Sequence, residues 1–454
     1  MRRAGTPFLL ISGIAGLGGL LFGYGTAIIA GALFFLQQRF ALDHSLTGLL
    51  VATTLAGAAL GAGVAGPLAD ALGRRRVIAS AAVLFAAGSL LAASADLRLS
   101  LFFGRALVGL AIGLSSTVTP LYLSEITAAE QRGAIVTLNQ LLIAVGILVA
   151  YLINLAFVGT PLGWRWMFGL GALPALVLLA GLGILPESPR WLLRQGRMEA
   201  AAAALERLRQ DPQARAEEWA QLQAAGDSQR GGWRELFRSR LRKPLLIALA
   251  LALFQQITGI NVVLYYAPII FHAAGFASTQ GEVLATVGIG SINVLATLIA
   301  VRRLDRWGRR PLLLGSFAGM LLSLLILATG LSLALQGPWL YLIVAAIAAF
   351  VISFAMGIGP IFWLLIAEIF PNVLRGRAMA LATVLNWLSN MLVTGVFLDL
   401  AARLGAGGTF YLYALASFLA LLFTWRWVPE TKGLRLEDIE QRLMASGKAP
   451  PPQH

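Results

Sequence analysis

Cysteine is absent from the 454 residues, which excludes disulfides, thiolate metal sites and cysteine nucleophiles. Histidine is nearly absent: His44, His272 and His454 are scattered and form no metal cluster. Charge is scarce as well, at 12% of residues against about 25% in an ordinary soluble domain. So few ions do not cover a water-exposed surface of this size. Neither a Ser–His pair within an apolar run, nor His-Glu-x-x-His, nor paired acids occur, so no enzyme and no cofactor is expected.

What is abundant is apolar surface, at 58% hydrophobic residues and a mean hydropathy of +0.79. Runs of spanning length fall at 8–36, 47–69, 77–95, 100–127, 133–157 and 164–185, then at 244–271, 282–301, 311–332, 338–367, 377–398 and 407–427. The first run is too long for a signal-peptide core and lacks a small-residue cleavage site, so it reads as a spanning helix. The expected architecture is an all-α membrane protein of twelve transmembrane helices in two six-helix halves. Its parts are 1–186, a cytoplasmic helical linker at 187–243, 244–428, and a cytoplasmic tail at 429–454.

The net charge of +14 would point a soluble protein towards nucleic acid. Here no basic patch carries the interleaved aromatics of a base-stacking surface, and the lipid bilayer is the expected partner instead. Cations gather in alternate loops: Arg74-Arg75-Arg76, Arg132, the central stretch, Arg302 to Arg310, Arg375 and Arg377. The other loops hold scattered ones such as Arg39, Arg98 and Arg403. This asymmetry places both termini in the cytoplasm of a multi-pass cell-membrane protein.

The chain repeats itself. Asp70-x-x-Gly73-Arg74-Arg75 returns as Asp305-x-x-Gly308-Arg309-Arg310, and Glu125 with Arg132-Gly133 returns as Glu368 with Arg375-Gly376. Pro186-Glu187-Ser188 returns as Pro429-Glu430-Thr431. The last two pairs share one offset of 243 positions, so two parallel six-helix repeats follow, with a site expected between them near the bilayer midplane.

Gly66-x-x-x-Asp70-x-x-Gly73-Arg74-Arg75, Gly104-Arg105, Pro120-x-Tyr122-x-x-Glu125, Pro186-Glu187-Ser188-Pro189-Arg190, Gln255-Gln256-x-x-Gly259-x-Asn261 and Pro429-Glu430-Thr431-Lys432-Gly433 together resemble the sugar porter family of the major facilitator superfamily. The resemblance runs from Gly18 to about Glu440. It implies alternating-access transport of a monosaccharide, hexose or pentose, by a protein expected to act as a monomer.

Asp70, Arg74, Glu125, Arg132, Asp305, Arg309, Glu368 and Arg375 all fall at inner helix ends. Ion pairs across the two halves would form a latch that shuts the inner mouth, each partly exposed pair worth about 0–1 kcal/mol. Amides lie inside otherwise apolar helices: Gln140, Gln255, Gln256, Asn261, Asn293, Asn386 and Asn390. Each offers donors and an acceptor to sugar hydroxyls. Taken singly, each equally fits a helix–helix hydrogen bond. In a regular helix Asn261 points away from Gln255 and Gln256, and a break at Gly259 would let the three converge. Trp363 and Trp387 suit either stacking on a sugar face or filling a bundle core. Pro360 with Gly357 and Gly359 makes a hinge plausible before Trp363. Similarity to sugar porters assigns Gln140, Gln255, Gln256, Asn261, Trp363 and Trp387 to the sugar site, with Tyr265, Asn293 and Asn386 as neighbours.

One departure bears on mechanism. Proton-coupled family members carry Gly-Tyr-Asp in the first helix, paired with the fourth-helix arginine, whereas this chain reads Gly23-Tyr24-Gly25. Asp70, Asp96, Glu125, Glu282, Asp305, Glu368 and Asp399 all lie at span edges. With Gly25 at the coupling position, Arg105 is left to snorkel or to use backbone carbonyls and water. Facilitated diffusion is expected, with symport through a helix-edge acid as the alternative. A transporter-like sugar sensor is a further alternative, disfavoured by the short tail.

Overall fold

The computed structural model describes residues 6–127, 132–209, 211–225, 233–238, 241–335 and 337–432. Those residues form helices and connecting turns, with no strand among them. Twelve helices are long and apolar enough to cross a membrane: Leu10–Arg39, His44–Leu72, Arg74–Ala93, Arg98–Ile126, Leu138–Phe157, Gly163–Gly181, Arg242–Tyr265, Thr279–Arg303, Arg309–Ser332, Trp339–Ile366, Leu374–Gly395 and Phe397–Trp427, the first to twelfth spans below.

Several spans are broken. The first divides into Thr6–Ala27 and Ile29–Arg39, and the sixth into Gly163–Gly169 and Ala172–Gly181. The seventh ends one helix at Ile257 and starts another at Ile260, with Gly259 at φ +87 between them. The tenth breaks at Gly357, and the twelfth kinks at Gly405, where φ is +75. A left-handed φ costs an L-residue about 1–2 kcal/mol, which is why glycine occupies the break of the seventh span.

By packing, the chain divides into two compact units that do not follow sequence order. One unit comprises Met1–Ser228, Asn261–Val294 and Asn390–Asp399. Within it the second and fourth spans approach so closely that a Cβ on Gly57, Gly61, Gly109 or Gly113 would run into the facing backbone. Membrane helices without a hydrophobic drive between them gain their contact this way, through small residues and dispersion. The two borrowed segments are tied in by hydrogen bonds: Tyr151 OH donates to the Leu264 carbonyl (2.6 Å), and Ser45 Oγ donates to the Asp399 carboxylate (3.0 and 3.1 Å). Tyr266 OH, on one borrowed segment, donates to the Thr394 carbonyl on the other (2.9 Å). Gly48 and Gly395 meet backbone to backbone.

The central stretch belongs to the same unit and forms helices Pro189–Arg194, Met198–Leu208 and Pro212–Ala225. Ser188 caps the first by accepting from Trp191 N at 3.3 Å. Trp191, Leu192, Ala201 and Ala204 form a small apolar cluster with Trp219 against it. Trp191 Nε1 donates to the Asp70 carbonyl (2.9 Å), and Arg209 joins Glu218 (2.6 Å) to the Ile126 carbonyl (3.0 Å). The linker helices are thereby fastened to the ends of the second and fourth spans.

The other unit comprises Gln229–Ile260, Leu295–Ser389 and Leu400–His454. Its centre is the packing of the ninth and tenth spans, with the first part of the seventh span beside the second part of the tenth.

Candidate substrate-binding site

In the second unit, the break after Ile257 leaves Gln255 and Gln256 in the last turn of a helix, both buried. Asn386 of the eleventh span joins them. Gln256 Nε2 donates to Asn386 Oδ1 (2.9 Å), and Asn386 Nδ2 donates to Gln255 Oε1 (2.6 Å) and to the Ala252 carbonyl (3.1 Å). Gln255 Nε2 completes the chain on the carbonyls of Ile358 and Gly359 (3.2 and 3.3 Å), just past the break of the tenth span. Three amides from two helices thus offset one another's desolvation cost in a single network. A hydroxylated ligand entering such a network exchanges hydrogen bonds without stranding a buried donor. Trp387, beside Asn386, is buried, and Trp363 is partly exposed with Phe362 edge-on at 4.6 Å.

The first unit holds the remaining amides. Gln140 is partly exposed on the fifth span, Asn293 is buried on the eighth, and Asn261 opens the second part of the seventh. Tyr265 is buried there too and accepts from Asn390 Nδ2 at 3.3 Å. The expected break at Gly259 is present. The residues it was expected to gather fall in different units, with Gln255 and Gln256 in one and Asn261 in the other.

Arg105, on the fourth span in the first unit, does not snorkel. It is 2% exposed, its Nη1 donates to the Gly25 carbonyl at 3.2 Å, and its guanidinium sits 5.4 Å from the Phe168 ring centre. Among the described residues no ion pair includes it. The place of a side chain at Gly25 is taken: a Cβ there would lie 2.8 Å from Phe85 Cε2 and 2.9 Å from Ile112 Cδ1. Nothing in the sequence pointed to Phe85 or Ile112, because the packing joins spans far apart in the chain.

The charges at these span ends pair within each sequence half rather than across the two halves as the expected latch would. Arg74 binds Glu125 in bidentate fashion (2.9 and 3.0 Å) and reaches Asp70 at 3.3 Å, all within the first half of the sequence. Arg309 binds Glu368 (2.9 and 3.2 Å) within the second half, and Thr431 Oγ1 donates to the other Glu368 oxygen at 2.5 Å. The reason is geometric. Left-handed turns at Gly73 and Gly308 start the next helix with an arginine that lies against the last turn of a neighbouring span of its own half. At 2% and 6% exposure, Arg74 and Glu125 are not the weak, partly exposed pair expected, and removing either partner would cost about 3–5 kcal/mol. Arg375 is partly buried on the eleventh span, while the side chains of Arg132 and Asp305 lie outside the described residues.

Glu187 and Glu430 were visible only as part of a repeated motif, and their task was missed. Glu187 accepts from the backbone N–H groups of Arg74, Arg75 and Ser188 (3.0, 3.2 and 2.9 Å). Glu430 accepts from those of Arg309, Arg310, Thr431 and Lys432 (3.0, 3.1, 3.0 and 2.9 Å). Each carboxylate caps the span that its repeat's Gly-Arg-Arg opens. Burial alone would raise the Glu430 pKa, but the four N–H donors outweigh it and hold the carboxyl below its ordinary value.

Twelve spans, a charge arrangement present in both sequence halves and an amide network beside broken helices fit a polytopic membrane transporter. The family described as "Sugar (and other) transporter" matches residues 11–443. The galactose-proton symporter of Escherichia coli (strain K12) is 40% identical over 438 residues, covering 96% of this chain and 94% of that protein. The D-xylose transporter of Levilactobacillus brevis is 38% identical over 447 residues, covering 98% and 97%. Among solved structures, the proton:xylose symporter XylE of E. coli, bound to 6-bromo-6-deoxy-D-glucose, superposes with a TM-score of 0.84 at 33% identity, over 97% of this chain and 100% of that one. The chain belongs to the sugar porter family of the major facilitator superfamily, and it is a sugar transporter rather than an enzyme.

Proposed function

We propose that this protein carries a monosaccharide, hexose or pentose, down its gradient by alternating access, as a monomer with both termini cytoplasmic. The carrying observation is at the coupling position. Gly25 supplies no carboxylate, Phe85 and Ile112 fill the space beside it, and Arg105 rests on the Gly25 carbonyl. A carrier driven by protons needs a group that gains and loses one in alternate states, and arginine does not serve. Gln255, Gln256 and Asn386 are the proposed hydroxyl ligands, with Gln140, Asn261, Tyr265 and Asn293 as further polar contacts and Trp363 and Trp387 as stacking faces. Asp70, Arg74, Glu125, Arg132, Asp305, Arg309, Glu368 and Arg375 act as state-dependent gate charges in this reading.

A second reading, proton symport, is favoured by the names of the similar transporters, several of which are proton symporters. Proteoliposomes separate the two. Labelled glucose, galactose and xylose are offered to sugar-free vesicles that hold a trapped pH dye. Uptake without acidification of the lumen supports diffusion, and sugar-driven proton entry overturns it. Gln256→Ala and Trp363→Ala are expected to weaken uptake of the best sugar at least tenfold.

A further inference from the structure

At the end of the twelfth span lies an open depression of about 450 Å³, lined by Arg310, Trp425 and Arg426. Its charges are poorly matched. Arg310 Nη2 donates to the Trp425 carbonyl at 2.6 Å, while its Nε is buried without a hydrogen-bond partner. The nearby carboxylate of Glu430 meets Arg310 at its backbone N–H, and no ion pair among the described residues includes either Arg310 or Arg426. Arg309, one residue earlier, has Glu368. Two arginines therefore line one depression beside an indole that is 63% exposed, and the Arg426 guanidinium lies 6.0 Å from the Trp427 ring centre.

We propose that this depression binds the phosphate of an anionic phospholipid. Guanidinium pairs suit phosphate oxygens in geometry as well as charge. Exposed tryptophans at the end of a membrane span sit at headgroup depth, and both Trp425 and Trp427 are exposed there. A lipid rather than a free phosphate is argued by the surface leading to the site. Leu415, Phe418, Leu422 and Trp425 are all exposed and follow each other at intervals of three, four and three residues, which lays them along one face of the twelfth span. That apolar track ends at the arginines and gives an acyl chain its path. Basic pockets at span ends commonly bind lipid headgroups on these terms.

The test uses the full chain purified in a neutral detergent. Its thermal stability is titrated with phosphatidylglycerol, with phosphatidylcholine and with inorganic phosphate. Phosphatidylglycerol is expected to stabilise with saturation, and the other two are not. Arg426→Gln, which leaves the Trp425 carbonyl contact intact, is expected to raise the half-saturating phosphatidylglycerol concentration about fivefold, and Arg310→Gln by a similar factor. Equal stabilisation by phosphatidylcholine, full stabilisation by inorganic phosphate, or an unshifted titration in Arg426→Gln would each overturn the proposal. If Arg310→Gln fails to fold, Arg426→Gln still decides.

Discussion

Gly259→Ala tests whether the break in the seventh span is enforced by its surroundings or merely permitted by a flexible residue. Two separate costs apply. The left-handed φ of +87 disfavours alanine by about 1–2 kcal/mol. The added Cβ would also lie 2.6, 2.9 and 3.0 Å from Cδ2, Cγ and Cε2 of Tyr413, whose ring is buried and set edge-on to Phe410 at 5.8 Å. A ring so placed cannot step aside freely, and overpacking of this kind costs a further 1–3 kcal/mol or so. Gly275 is the control. Its φ is +101 and a Cβ there would meet nothing within 4 Å, so Gly275→Ala pays the backbone cost alone. The expected destabilisation is about 2–5 kcal/mol at Gly259 against about 1–2 kcal/mol at Gly275. In apparent melting temperature that is a gap of several degrees, at about 2–4 °C per kcal/mol. Gly259→Ala is also expected to weaken transport, because Gln255 and Gln256 end the helix that stops at this turn. In a Tyr413→Ala background, where the obstructing ring is gone, the further loss from Gly259→Ala should fall to about that of Gly275→Ala. The reasoning fails if Gly259→Ala melts and transports like Gly275→Ala.

Three further outcomes follow from the same geometry. Gly25→Asp should lower stability by about 1–3 kcal/mol through contact with Phe85 and Ile112, and should give no sugar-driven proton uptake by pH dye. With Phe85→Ala and Ile112→Ala made alongside, both obstructing side chains are cut back, and sugar-driven proton uptake should appear. Asn386→Ala removes the acceptor of Gln256 and the donor to Gln255, and sugar uptake should show KM raised about tenfold at unchanged expression. Glu430, whose carboxyl is held below its ordinary value, contributes stability that is complete above that ordinary value and is lost as pH falls through the lowered one. Between pH 6 and 3, the melting temperature of the native chain should therefore fall towards that of Glu430→Gln; a constant difference between them would contradict the capping role.

Much of the fold was legible because apolar run length and loop charge are properties of local sequence. Lipid imposes them on each span separately. The break at Gly259 was legible for a similar reason, since a lone glycine between amides has few other uses. The breaks in the first and sixth spans were not, because an apolar run looks the same whether straight or bent. Pairing was the hardest to read. The sequence marks Arg74, Glu125, Arg309 and Glu368 as special, yet charge pattern alone does not say which acid meets which arginine across 51 or 59 positions. Glu187 and Glu430 act through backbone N–H groups, which carry no side-chain signature. The filling of the space beside Gly25 depends on side-chain shape in two other spans. Assignment of the segments 261–294 and 390–399 to the first packing unit rests on tertiary contact, which periodicity does not encode.

That exchange of segments has a consequence for biosynthesis. Tyr151, Ser45 and Gly48 leave the ribosome long before Leu264, Asp399 and Gly395 exist to receive them. At roughly 5–20 residues per second, the delay from Ser228 to Asp399 is on the order of ten to thirty seconds. For that interval the faces of the early spans that receive these segments have no partner from this chain, and the first unit is complete only once residue 399 has been made.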